Sequence, residues 1–127
     1  MSKKKILLID DDLKFASSVK LILDGAGYEV ELACDGKEGG MKLAECRPDL
    51  IILDVMMPNK DGFQLCAEIK KDPRLESIPV IMLTAVGENI PRTKYAVSDG
   101  FNLEAEDYIP KPVEPAVLIG RIKALIP

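Results

Sequence analysis

Three consecutive aspartates, Asp10, Asp11 and Asp12, follow the apolar run from Lys5 to Ile9, and a fourth acid, Asp54, closes the apolar run that starts at Leu50. Thr84 ends another such run, and Lys111 follows a short one from Asp107 to Ile109. The chain contains 0 histidines, which excludes Ser-His and Cys-His nucleophile pairs, histidine metal ligands and a histidine phosphate carrier. Its chemistry must run on carboxylates, hydroxyls and lysines. If the acids converge, each raises the pKa of its neighbours, so something positive must offset them. Oxygen-only ligands suit a hard cation, and a few carboxylates with a carbonyl and waters suit octahedral magnesium better than a closed calcium cage. Lys111 supplies a second positive charge. A carboxylate beside a magnesium ion, an ammonium and a hydroxyl can accept a phosphoryl group, because those neighbours stabilise charge on the equatorial oxygens. Asp54 would then become an aspartyl phosphate.

The elements that must position these residues are legible in the pattern. The strand Lys5 to Ile9 precedes a helix whose Phe15, Val19, Ile22 and Leu23 recur at helical spacing until Gly25 and Gly27. Tyr28 to Ala33 reads as a strand with Val30 and Leu32 alternating with Glu29 and Glu31, and Gly36 to Cys46 as a helix offering Met41, Leu43, Ala44 and Cys46 for packing, although Gly39-Gly40 weakens it. Leu50 to Asp54 is a third strand, apolar on both faces. A third helix carries Phe63, Leu65, Cys66 and Ile69 and stops before Asp72-Pro73. Val80 to Thr84 is the fourth strand, Pro91 opens a short fourth helix that Gly100 closes, and Asp107 to Ile109 is a brief fifth strand. Pro115 starts a last helix with Leu118, Ile119, Ile122, Leu125 and Ile126 facing inward. Strands alternating with helices, with doubly apolar central strands, predict a parallel sheet covered on both faces. In such sheets ligands gather beyond the carboxyl ends of the strands, where strand order reverses. With the order 2-1-3-4-5, Asp10, Asp11, Asp54, Thr84 and Lys111 all meet at that crevice.

Length and composition narrow the alternatives. The 127 residues fit one domain, and a mix of 30% charged and 47% apolar residues is that of a chain that folds alone. The net charge is −4 and the basic cluster is confined to Lys3 to Lys5, which argues against direct nucleic-acid binding. Neither a signal peptide nor a membrane span is read, and a cytoplasmic protein is expected. Cys34, Cys46 and Cys66 lack CxxC spacing and are expected to be reduced, buried thiols.

Four motifs in order, "LLIDDD", "LDVMMPNKDG", "VIMLTA" and "DYIPKP", resemble those of the receiver domains of two-component response regulators, and the resemblance spans essentially the whole chain, residues 1–127, as a single domain. It implies a flavodoxin-like, doubly wound (βα)5 three-layer sandwich. It also implies Asp54 as phospho-acceptor, Asp11 as a direct magnesium ligand, Asp10 as a ligand largely through water, and the Met56 backbone carbonyl as a further ligand. Lys111 would hold a phosphoryl oxygen, Thr84 would swing toward the phosphate, and Tyr108 would move from an outward to an inward rotamer. Met56 and Val86 take the positions that tune hydrolysis; both are apolar and cannot orient a water, so slow self-dephosphorylation is expected. The Lys111-Pro112 bond is commonly cis in the family. The implied partners are a histidine kinase or phosphotransfer protein as donor and a downstream protein or output domain, and a phosphorylation-dependent homodimer stays open.

Each residue alone has a plainer reading. Asp12 reads as an N-cap, Asp61-Gly62 as a turn and helix entry with Gly supplying positive φ, Thr84 as a strand-end threonine, Lys111 as a solvated lysine and Tyr108 as an edge-strand aromatic. Only their joint placement raises Thr84 and Lys111 above that. Two other functions compete: a magnesium-dependent phosphatase with an aspartate nucleophile, against which Met56 stands where a second acid is needed, and a degenerate receiver that binds partners without phosphorylation. The span from Thr84 to Asp107 is longer than the family pattern, and with Tyr95 and Phe101 it is expected to build a private binding or self-association surface.

Overall fold

The sheet is built from strands whose alternate residues face two different cores. In the computed structural model, residues 3–55, 62–84 and 105–127 are described. Their elements run β1 (Lys5–Ile9), α1 (Leu13–Gly25), β2 (Glu29–Ala33), α2 (Gly36–Glu45), β3 (Leu50–Asp54), α3 (Gly62–Lys71), β4 (Val80–Thr84), β5 (Asp107–Pro110) and α4 (Pro115–Leu125). All strand pairs are parallel and the order is β2-β1-β3-β4-β5, as the sequence predicts. The expected helix from Pro91 to Gly100 and the surface carrying Tyr95 and Phe101 lie outside the described residues.

Every residue of β3 and β4 is buried, so both faces of these central strands must be covered. Leu7, Ile9, Ile51, Leu53, Val80 and Met82 face one core with Leu43 of α2 and Leu65, Cys66 and Ile69 of α3. Ile6, Leu8, Leu50, Ile52, Ile81 and Leu83 face the other with Ala16, Val19 and Leu23 of α1 and Leu118 and Ile122 of α4. The alternation follows from the period of two along a strand. No helix among the described residues is long and apolar enough to cross a membrane.

Helix ends are fixed by local chemistry. The Asp12 carboxylate accepts from the Phe15 N–H at 3.1 Å and so caps α1. Gly27, at φ 98°, turns the chain after it. Asp35 caps α2 by accepting from the Glu38 N–H at 2.8 Å, while Glu38 reaches back to the Cys34 N–H at 2.7 Å, a reciprocal arrangement akin to a capping box. At the far end of α3, the Lys70 ammonium donates to the Ile78 carbonyl and to both oxygens of Glu106, each at 2.9 Å. Glu106 also accepts from the Val80 N–H at 2.7 Å, which ties the entrance of β5 to α3 and β4.

Three expectations are corrected. Cys34 and Cys46 are exposed and only Cys66 of the three thiols is buried, because β2 ends one residue before Cys34 and Cys46 is the extended cap after α2. Met41 lies on the outer face of α2, 61% exposed. Gly62 does not serve by positive φ, since among the described residues Gly27 alone has that geometry; it opens α3 because a Cβ there would collide with the Asp54 carbonyl oxygen and come within 2.9 Å of the Val55 Cα. Gly39 has a milder version of the same role: its added Cβ would meet the Ile9 Cδ1 at 2.6 Å, the movable end of a side chain. Gly62→Ala is therefore expected to cost about 1–3 kcal/mol through backbone displacement. For Gly39→Ala, strain is partly offset by the roughly 1 kcal/mol gain in helix propensity, leaving a smaller change. Urea unfolding of the two variants checks the order, and a larger loss at Gly39 would contradict it.

Candidate functional site

The carboxyl ends of β1, β3, β4 and β5 bring together the residues singled out from the sequence. Asp10, just past β1, is fully buried at 0% exposure, Asp54 is 5% exposed, and Asp11 is exposed to solvent. Each of the three offers one carboxylate oxygen within 4.8 Å of the others. Asp10 is fixed on both sides: its N–H donates to the Ala33 carbonyl at 3.0 Å, and its Oδ1 accepts from the Asp12 N–H at 2.9 Å. Behind Asp54, the Val55 N–H donates to the Leu83 carbonyl at 3.0 Å and the Gly62 N–H to the Val55 carbonyl at 2.9 Å. The acceptor end of β3 is thereby held between β4 and α3.

Lys111 closes the cluster. Its Nζ lies 3.2 Å from the Asp10 Oδ2 and 3.4 Å from the Asp54 Oδ1, and its backbone N–H donates to the Thr84 carbonyl at 2.6 Å. The Lys111-Pro112 peptide bond is cis. Thr84, buried at the end of β4, is one residue beyond the partner of Asp54 in the β3–β4 register. Tyr108 is half-buried on β5, and its hydroxyl accepts from the Ala105 N–H at 3.3 Å. Met56 and Val86, expected as a carbonyl ligand and as hydrolysis-tuning positions, lie outside the described residues.

Electrostatics follow from this geometry. Burial, with the Asp10 charge next in size, pushes the Asp54 carboxyl up from 3.8 to about 6, and Lys111 only partly counteracts them. For Lys111, burial opposes the charged form, yet the Asp10 and Asp54 carboxylates outweigh it and hold the pKa above the ordinary lysine value of 10.5. Among the described residues, three acids against one ammonium leave the site short of positive charge. Oxygen donors alone, close enough to share one ion and lacking imidazole, fit a small hard cation such as magnesium.

The sequence did not single out Phe15 for this site, reading it as a core residue of α1. Its ring centroid lies 4.4 Å from the Lys111 Nζ. The two residues are far apart in sequence, and no local signal marks such a contact.

A parallel sheet of this order with acids at its switch point defines a class, and comparison with known proteins agrees. Residues 6–123 match the family model described as the response regulator receiver domain. The chain belongs to that family and is a receiver domain of the two-component response regulator type. It is 39% identical over 122 residues to the DNA-binding dual master transcriptional regulator RpaA of a Synechocystis strain, an alignment covering 96% of this chain and 48% of that protein. The chain spans about half the length of the curated relatives it matches. Among solved structures, a putative response regulator from Chloroflexus aurantiacus superposes with TM-score 0.87 at 37% identity, covering 98% of both chains. TrrA of Thermotoga maritima, a response regulator solved in complex with Mg(2+)-BeF, superposes with TM-score 0.79 at 30% identity, covering 96% of this chain and 98% of that one. The phosphatase alternative is not favoured by these matches.

Proposed function

We propose that Asp54 accepts a phosphoryl group from a histidine kinase or phosphotransfer protein and that the resulting change at Thr84 and Tyr108 is passed to a partner protein or output domain. The observation that carries this reading is the placement of Asp54 among Asp10, Asp11 and Lys111 at the switch point of the sheet. Residues 1–127 act as one such unit. The chain's only chemistry is on itself: an Asp54 oxygen attacks phosphorus, a new O–P bond forms, and the bond to the donor oxygen or nitrogen breaks with its electron pair leaving on the donor.

With its pKa near 6, the Asp54 carboxyl is mostly ionised at neutral pH and available as the nucleophile. Asp10, Asp11 and Asp54 would hold a magnesium ion, together with the backbone carbonyl of Met56. When bound, that ion neutralises charge and orients the incoming group. Lys111 holds a phosphoryl oxygen, its ammonium already being 3.4 Å from the acceptor atom. The Thr84 hydroxyl is a second donor toward the product, and charge-assisted hydrogen bonds of roughly 1.5–3 kcal/mol each are large enough to shift a two-state equilibrium.

The test is intact-mass spectrometry after incubation with acetyl phosphate and magnesium. A gain of one phosphoryl mass is expected for the wild-type chain, and no gain for Asp54→Asn or after chelation of the metal. No adduct with any donor would overturn the reading, and an adduct on Asp54→Asn equal to that on the wild type would move the acceptor elsewhere.

A further inference from the structure

We infer that Phe15 is a positioning residue for phosphoryl transfer: its ring is the platform that holds the Lys111 ammonium between Asp10 and Asp54. The inference deepens the receiver reading above and rests on it. Lys111 Nζ has the Asp10 Oδ2 at 3.2 Å, the Asp54 Oδ1 at 3.4 Å and the Phe15 ring centroid at 4.4 Å. A cation over an aromatic face is attracted by the ring quadrupole, most strongly where water is scarce. Lysine is a compact charge on a flexible stem with three rotatable donors, so two oxygen partners alone leave it free to swing outward.

A ring suits this place better than another acid would. A further carboxylate would add to the three already within 4.8 Å of one another and raise their pKa values again. The ring attracts the ammonium without adding net charge. It also takes up none of the N–H directions in a fixed geometry, so the donors remain available to turn from the carboxylate oxygens to a phosphoryl oxygen.

The ring is itself placed by the acid run. The Asp12 N–H is bonded to the Asp10 Oδ1 at 2.9 Å, and the Asp12 Oδ1 accepts from the Phe15 N–H at 3.1 Å. The backbone between the buried acid and the ring is thus held at two points. The ring and Lys111 together line a groove with Val19, Ile22, Pro112 and Val113, and the Ser18 hydroxyl in its wall donates to the Lys14 carbonyl at 3.0 Å. Apart from Lys111 itself, Ser18 carries the one polar side chain among the described residues that line this groove, and no carboxylate does, so the ring face is the main attraction for the ammonium there.

The test is the initial rate of adduct formation from subsaturating acetyl phosphate with magnesium. The variants are Phe15→Leu, Phe15→Tyr and a series with mono-, di- and trifluorinated phenylalanine at position 15, which keeps the ring while weakening its quadrupole. Phe15→Leu is expected to slow transfer by roughly 3- to 30-fold, the range a cation–π contact spans from exposed to desolvated settings. Phe15→Tyr should stay near wild type, and the fluorinated chains should fall stepwise. Thermal unfolding of each variant separates loss of fold from loss of rate. Wild-type rates across the fluorinated series, whether or not Phe15→Leu is slow, would show that only shape matters and overturn the inference alone. No adduct on the wild-type chain would overturn the receiver reading and this inference with it.

Discussion

Asp54→Asn is expected to make the metal-free protein more stable than the wild type at pH 7, by about 2–3 kcal/mol, the free energy that corresponds to moving a carboxyl from 3.8 to about 6. The sign follows from proton linkage. An acid whose pKa is raised on folding favours the folded state while protonated in both states. As pH rises past 3.8 the unfolded chain loses its proton first, so stability falls until the folded carboxyl ionises near 6, and the penalty is then complete. Asparagine has the same shape and no charge to bury beside Asp10. The two chains should therefore have similar stability below about pH 4 and diverge by pH 7. Magnesium should close that gap at about 100 times its Kd, where binding adds roughly 2.7 kcal/mol, and reverse the order at about 1,000 times, where it adds roughly 4.1 kcal/mol, because the variant lacks one of three carboxylates. Urea unfolding across pH, with magnesium and with chelator, reads both effects. A wild type more stable than the variant at pH 7 without metal would contradict the assigned origin of the shift.

What the sequence made legible is what periodicity and strand ends encode. Leu50 to Asp54 and Val80 to Thr84 read as doubly apolar strands, and every residue in both is buried; that pattern leaves a covered parallel sheet as the economical solution, and the sheet order then brings Asp10, Asp54 and Lys111 together. Asp12 as a helix cap was equally readable, because the interaction is three residues long. The signals that failed were of another kind. Gly62 opens a helix as the pattern indicates, but not by positive φ: its reason is the Asp54 carbonyl lying against it, a contact made by tertiary packing of α3 on β3. Cys46 was placed one residue inside a helix that stops at Glu45, and a shift of that size decides whether a thiol faces the core or solvent. Phe15 over Lys111 and Lys70 with Glu106 join residues far apart in the chain, and nothing in local spacing announces them.

Removing the Lys111 ammonium should produce the largest combined loss. Lys111→Met keeps length and apolar stem but leaves Asp10, Asp11 and Asp54 facing one another without the one ammonium that pairs with them among the described residues. Breaking a buried pair by deleting one partner costs about 3–5 kcal/mol; with 24% of the Lys111 side chain exposed, about 2–4 kcal/mol at pH 7 is expected. The loss has a defined window. Because the Lys111 pKa is raised on folding, its contribution is complete below the ordinary lysine value of 10.5 and fades as pH climbs through the higher folded value. It should also shrink in acid as the carboxylates it faces are protonated, so the difference between wild type and Lys111→Met is greatest between those limits. Transfer should fall by about 10²–10³-fold, the usual effect of deleting one preorganised donor to developing negative charge. Lys111→Arg provides the sharper discrimination: a guanidinium restores charge and part of the stability, but its planar fork cannot seat a point charge between the Asp10 and Asp54 oxygens and over the Phe15 ring. Recovered stability with transfer still slow would assign Lys111 a role in the reaction beyond neutralising the acids, whereas recovery of both together would reduce it to a counter-ion.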